Sequence, residues 1–222
     1  MGIKTYQTVE DYLSINNLQL PSGYIDFERI LSKKCRSSYI KSGFGKFFSA
    51  LAYEKKYSSI VELGVLDGYS LLSMAFGCKS LKNKFRVYGV DLFDEYKFKN
   101  SKEFIVQNLI NDMDLSQGVF LKKGNVFADE SVLKLLKESD LIHVDLSNDK
   151  EKVEKILFML SMNKSTKIIF EGGSLERDNV DWMVEYKKPQ LRPYFSEISK
   201  NGKYNIEIIE CFPSITILSP KK

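Results

Sequence analysis

The chain has 222 residues, 43% of them hydrophobic, which suits one domain of ordinary to large size with a sizeable core. A formal charge of +4 is too mild to argue for nucleic acid, and no apolar run approaches membrane-spanning length. Three widely separated cysteines, Cys35, Cys78 and Cys211, speak against a disulfide framework or a zinc site, and the start lacks the apolar core of a signal peptide, so a cytoplasmic protein is expected.

Residues 5–57 read as helical. Thr8 can cap a helix through Leu13 and Ile15, and the turn Pro21-Ser22-Gly23 leads to a helix around 25–31. A helix over 42–57 puts Phe44, Phe47, Phe48, Leu51 and Ala52 on one face, a stripe for packing against a sheet. The glycines of 41–45 make that stretch a candidate lid. From residue 58 strands and helices alternate. Strands at 58–65, 86–91, 118–122, 141–145 and 167–171 are followed by helices at 69–80, near 101–112, at 131–138, at 150–161 and at 175–186. Residues 187–194 show no helical character. Two closing strands near 204–210 and 214–218, separated by a turn around Pro213, are too close for a crossover and form a hairpin. Repeated βα units imply an α/β fold: a mostly parallel sheet with an antiparallel C-terminal hairpin and helices on both faces. A helical N-terminal cap, 1–57, precedes one compact unit, 58–222.

The stretch Ile60-Val61-Glu62-Leu63-Gly64-Val65-Leu66-Asp67-Gly68-Tyr69-Ser70 reads as strand, glycine-bearing turn and helix. Gly64 and Gly68 permit sharp dihedrals and close ligand approach, and the helix start offers unpaired N–H groups. The G-x-G-x-x-G spacing of a pyrophosphate site is absent, and Glu62 and Asp67 favour a cationic or amine-bearing ligand instead. This pattern resembles motif I of class I S-adenosylmethionine (SAM) methyltransferases; read without the resemblance, it is a βα turn of some other α/β enzyme. The resemblance implies a Rossmann-like methyltransferase sheet with SAM against Glu62, Gly64, Leu66, Gly68 and Ser70. Asp91, ending the second strand beside Leu92, can accept bonds from both hydroxyls of a ribose. At the third strand end Asn125 stands where the family often has an acid reading the adenine amino group, and Val126 can pack on the adenine.

The segment Ile142-His143-Val144-Asp145-Leu146-Ser147-Asn148 resembles motif IV of small-molecule O-methyltransferases of the macrocin and sugar type and of cephalosporin hydroxylase-like proteins. Relatives often read Ile-His-Ile-Asp-Gly-x-His; here Leu146 replaces the Gly and Asn148 the second His. It differs from the Asp/Asn-Pro-Pro-aromatic loop of enzymes that stack a flipped base. His143, the single histidine, reads as buried and hydrogen-bonded, with a general base as the alternative. Asp145 and Glu171, at neighbouring strand ends, are the catalytic candidates: a general base, a substrate-binding carboxylate, or ligands of a Mg²⁺ ion, a metal being left open. Arg177, Lys187, Lys188 and Arg192 are either a solvated face or a site for an anionic substrate. The resemblance implies methyl transfer from SAM to an oxygen of a small molecule, a sugar or phosphorylated glycan precursor, with no nucleic-acid partner and a homo-oligomer left open. The alternatives are a nucleotide-sugar or NAD-binding α/β enzyme and a non-catalytic scaffold on the same fold.

Overall fold

The computed structural model describes residues 2–96, 101–160 and 166–221. It opens with β1 (Lys4–Tyr6) and α1 (Val9–Ile15), then α2 (Tyr24–Lys34), α3 (Phe44–Glu54), β2 (Ser59–Leu63), α4 (Tyr69–Lys79), β3 (Arg86–Asp91), α5 (Glu103–Asp112) and β4 (Val119–Lys123). The chain continues through α6 (Glu130–Lys137), β5 (Leu141–Val144), α7 (Lys150–Met159), β6 (Lys167–Glu171), α8 (Leu175–Asp178), α9 (Asp181–Glu185), α10 (Leu191–Lys200), β7 (Tyr204–Ile209) and β8 (Ile215–Pro220). Position 161, the expected end of α7, lies outside the described residues.

Local chemistry accounts for the first helix. The Thr8 hydroxyl accepts from the Asp11 N–H, and the Asp11 carboxylate accepts from the Thr8 N–H, a capping box. The N-terminal region is not all helix, however. β1 pairs in parallel with β7, and the Tyr6 hydroxyl donates to Glu207 at 2.6 Å. Three residues are too few to show an alternating pattern, so only the pairing reveals this strand.

The eight strands lie in the order β1-β7-β8-β6-β5-β2-β3-β4. Neighbours are parallel except that β8 runs antiparallel to both β6 and β7, the expected hairpin. Successive side chains alternate between sheet faces. Ile60, Leu141 and Ile169 face a core built with α1 to α5, whereas Val61, Ile142 and Ile168 face one built with α6, α7 and α10. Burial on both faces is why these strands read as continuous apolar runs.

The expected helix over 175–186 is broken in two. The Asn179 amide donates to the Leu175 carbonyl, and Val180 turns extended before α9 begins. The stretch expected to be irregular contains the start of α10. Pro193 is tolerated there because a helix's first-turn N–H groups have no intrahelical partner. Asp178 caps this helix from a distance, its two carboxylate oxygens accepting from Leu191 N at 2.9 Å and Arg192 N at 2.8 Å.

Candidate active site

The turn after β2 is held from three sides. Gly64 takes φ +86°, and a Cβ there would sit 2.0 Å from the Asp145 carbonyl oxygen, so glycine is what lets the ends of β2 and β5 meet. Asp91 supports the turn from β3. Its Oδ2 accepts from Val65 N at 2.6 Å and Leu66 N at 3.1 Å, and its Oδ1 accepts from Phe93 N at 2.7 Å. Three of roughly four carboxylate lone-pair sites are thereby taken, leaving Oδ1 capacity for one further donor rather than for two ribose hydroxyls. Asp67 is enclosed: Arg36 reaches it through Nε at 2.7 Å, Nη2 at 2.8 Å and its backbone N–H at 2.8 Å. Burial raises the Asp67 carboxyl, but the Arg36 bonds outweigh it and hold the group below its ordinary range.

Glu62 and Ser70 were expected to face a ligand, yet they bond each other. Ser70 Oγ donates to Glu62 Oε1 at 2.5 Å, and His143 Nδ1 lies 2.7 Å from the same oxygen, with both Glu62 and His143 fully buried. Asp67 is thus paired with Arg36, and Glu62 has Oε1 engaged by two side chains of this chain while its buried Oε2 has no hydrogen-bond partner among the described residues. Gly64, Leu66, Asp91 and Leu92 are partly exposed along the C-terminal rim of the sheet, and Asn125 is exposed. Gly68 is buried as the N-cap of α4. The Asn125 side-chain oxygen accepts from Phe127 N at 3.0 Å. Val126 is 5% exposed and belongs to the core beside Val132 and Leu136, so its side chain is not offered to an adenine face.

Strand alternation brings Glu62, His143, Asp145 and Glu171 to one side of the sheet, with Glu62 beside His143 in register. The N-terminal helices cover this polar row. Phe48 lies 4.6 Å from the His143 ring, and Tyr39, from the loop between α2 and α3, reaches His143 Nε2 with its hydroxyl at 3.3 Å. Tyr39 was invisible as a site residue from sequence, since a lone tyrosine in a polar loop carries no pattern. Asp145 stays partly exposed just beyond β5. Burial raises its carboxyl above the ordinary range, against the pull of His143, Arg177 and the Tyr39 hydroxyl.

Glu171 is 6% exposed and already has a cation. Arg177 grips it with Nε on Oε1 and with Nη2 on Oε2 at 2.7 Å, while Trp182 lies under the guanidinium at 4.9 Å. Burial pushes the Glu171 carboxyl up to about 7, opposed by Arg177. Asn148, at the position of the family's second histidine, fastens the strand ends: its amide donates to the carbonyls of Val144 at 2.7 Å and Glu171 at 2.9 Å. Arg192 pairs with Glu210 at 2.5 Å and Lys188 with Asp149 at 3.5 Å, so three of the four cations considered for an anionic substrate are engaged by acids of this chain. Among the described residues, no group of three or more His, Cys, Asp or Glu is placed to hold a metal ion, and none of the described helices is long and apolar enough to cross a membrane.

Residues 61–168 match the family model of a methyltransferase domain. No curated protein matches the chain. Among solved structures, an O-methyltransferase from Bacillus cereus in complex with SAH is similar with a TM-score of 0.63 and 16% identity, covering 97% of this chain and 98% of that one. The SAH-bound methyltransferase PaMTH1 of Podospora anserina gives 0.61 and 17%, over 96% and 95%. The O-methyltransferase TomG of Streptomyces achromogenes, involved in tomaymycin synthesis and in complex with SAM, gives 0.63 and 14%, over 98% and 97%. At these identities the likeness concerns the fold.

Proposed function

This chain carries a methyltransferase domain over residues 61–168, and from that premise we propose that it transfers a methyl group from SAM to an oxygen of a small molecule, with Asp145 as the base. The observation that carries the reading is the placement of Asp145. It is a partly exposed carboxylate at the C-terminal edge of the sheet, with its backbone against Gly64 of the motif I turn. Ligands of open α/β sheets bind at that edge. The residues present fit SAM: Asp91 Oδ1 accepts one hydrogen bond from this chain and keeps capacity for another, and Leu66, Asp91 and Leu92 are partly exposed.

The bound cofactor supplies an electrophilic methyl group. The chain's own work is alignment and proton removal. Asp91 orients the ribose, and the Gly64 turn sets the distance to Asp145. Asp145 takes the proton of the acceptor hydroxyl as the oxygen approaches in line. Glu171, held by Arg177 and enclosed, acts through the charge of that pair rather than on the substrate. Sugars are the first acceptor class to test, on the likeness of the Asp145 segment to sugar methyltransferases. The pairing of Arg177, Arg192 and Lys188 gives a phosphorylated acceptor no added support.

Calorimetry with SAM, followed by a methyl-transfer screen over sugars, sugar phosphates and phenols, tests this. Asp91→Ala removes both the turn support and the ribose contact. It should weaken SAM binding at least tenfold, as charge-assisted bonds contribute about 1.5–3 kcal/mol each. Unchanged SAM affinity in a folded Asp91→Ala variant removes Asp91 from the site, and no SAM binding by the parent chain overturns the reading.

A further inference from the structure

The N-terminal end of the sheet, opposite the candidate active site, holds a cavity of about 710 Å³ between the loop before β3, the start of β4 and the end of α6. Small-molecule sites have volumes of about 300–1,000 Å³. Part of the lining is aromatic. Tyr88 and Phe120 are register partners on β3 and β4, their rings stacked with centroids 5.3 Å apart and planes 29° apart. β4 is the edge strand, and Phe120 is 39% exposed there. The Phe85 ring adds a wall, lying against Gly118 where any side chain would collide with it. Lys82, Lys84 and Arg86 line the same cavity and are exposed, and none of the three has an acid partner among the described residues. Glu138 is the acid of the lining. Asp140, beside Ser58, is already used: its Oδ2 accepts from Ser58 N at 2.9 Å, Ser59 N at 3.0 Å and Ser58 Oγ at 3.1 Å.

We propose that this cavity binds a nucleoside phosphate, its base on the aromatic surface of Tyr88 and Phe120 and its phosphate among Lys82, Lys84 and Arg86. Each half of the lining asks for a different kind of group. Ring surface left open to water gains from a flat π-system laid on it. Three cations facing one acid gain from an anion, and ammonium and guanidinium groups both suit phosphate. A purely apolar occupant would leave the cations without a counter-charge, and a bare anion would leave the rings wet. A base joined to a phosphate through a ribose meets both needs at once. The three cations lie within five residues of chain, and the volume suits one small molecule, which favours a mononucleotide over a long single strand. β2 separates this cavity from the candidate active site. Ser59 borders the cavity and Leu63 leads into the Gly64 turn, so four strand steps of about 3.3 Å put the two roughly 13 Å apart. A nucleotide here leaves the cofactor edge free. The inference depends neither on Asp145 nor on methyl transfer.

Calorimetry on the full chain with AMP and with GMP, each with and without saturating SAH, tests this. Both nucleotides should bind, SAH should not displace them, and added salt should weaken them by screening the cations. Adenosine, which lacks the phosphate, should bind at least tenfold more weakly than AMP. Reversing two exposed charges together, Lys84→Glu with Arg86→Glu, should weaken AMP at least tenfold, whereas Lys33→Glu, an equally exposed reversal on α2, should leave it unchanged. Phe120→Ser removes the exposed ring and should cost a similar factor; circular dichroism shows whether it folds, and the charge reversal carries the test if it does not. No binding of either nucleotide overturns the proposal. So does displacement by SAH, adenosine as tight as AMP, or AMP affinity indifferent to the reversal at Lys84 and Arg86. A deoxyadenosine hexanucleotide that binds far tighter than AMP and is lost with the same residues overturns it in favour of a single strand. A dimer in sedimentation that Phe120→Ser dissolves overturns it in favour of a second copy of this chain on the same face.

Discussion

At Asp145 a single atom exchange separates chemistry from shape. Asp145→Asn keeps the outline of the side chain and removes its capacity to hold a proton. Turnover with an acceptor returned by the screen should fall roughly a hundredfold or more, the scale of general acid–base loss, with SAM affinity kept. Steady-state kinetics decide it: turnover at the parent rate makes Asp145 a bystander. Glu171 and Arg177 give a prediction about stability. Breaking a buried ion pair by removing one partner costs about 3–5 kcal/mol. In Arg177→Met the uncompensated Glu171 carboxyl rises further above its unfolded value. A carboxyl raised in the folded state is not penalised below its unfolded pKa, and stability is lost as pH climbs through the folded value. The loss in Arg177→Met should therefore be large at pH 8 and shrink toward pH 5. Denaturant midpoints at the two pH values check this, and an equal loss at both would mean that Glu171 does not titrate between them.

The helices differ in where their start signals come from. α1 is capped by Thr8 and Asp11 within four residues of sequence, so its start is legible from the chain alone. α10 takes its cap from Asp178, thirteen residues before Leu191 and in another helix. Gln190, at the position where a capping side chain would stand, makes no such bond. Asp178→Ala should leave the Leu191 and Arg192 N–H groups without their acceptor and cost about 2 kcal/mol, at the upper end for a lost N-cap. Amide hydrogen exchange in the first turn of α10 should accelerate, and urea should unfold the variant earlier. Exchange at the parent rate would show that some other group, not Asp178, holds this end. The same logic explains 175–186: its polar residues look like one solvated helix, but the Asn179 amide closes the first piece on Leu175.

Residues 4–57 pack onto the sheet and into its core. They add β1 to the edge of the sheet, lay α3 on α4, and send Tyr39 and Arg36 into the site. Phe44, Phe47, Phe48 and Leu51 are fully buried, and at about 1.5–3 kcal/mol each their loss rivals the 5–15 kcal/mol by which domains are usually stable. A chain starting at residue 58 should therefore fail to fold cooperatively. A sharp calorimetric transition from residues 58–222 alone would restore the two-part division. The sequence by itself determined the βα alternation, the closing hairpin, the Gly64 turn and the rim positions of Asp91, Asp145 and Glu171. Each follows from apolar periodicity or from which residue ends a strand, and both are local properties of the chain. Tertiary structure alone decided which acids are free. Glu62 is bonded to His143, Asp67 to Arg36 and Glu171 to Arg177, across 81, 31 and 6 residues of chain, and Tyr39 meets His143 across 104. A carboxylate's partner is set by distance in space, and for Glu62 with His143 and Glu171 with Arg177 a packed core that excludes water makes the pairing obligatory.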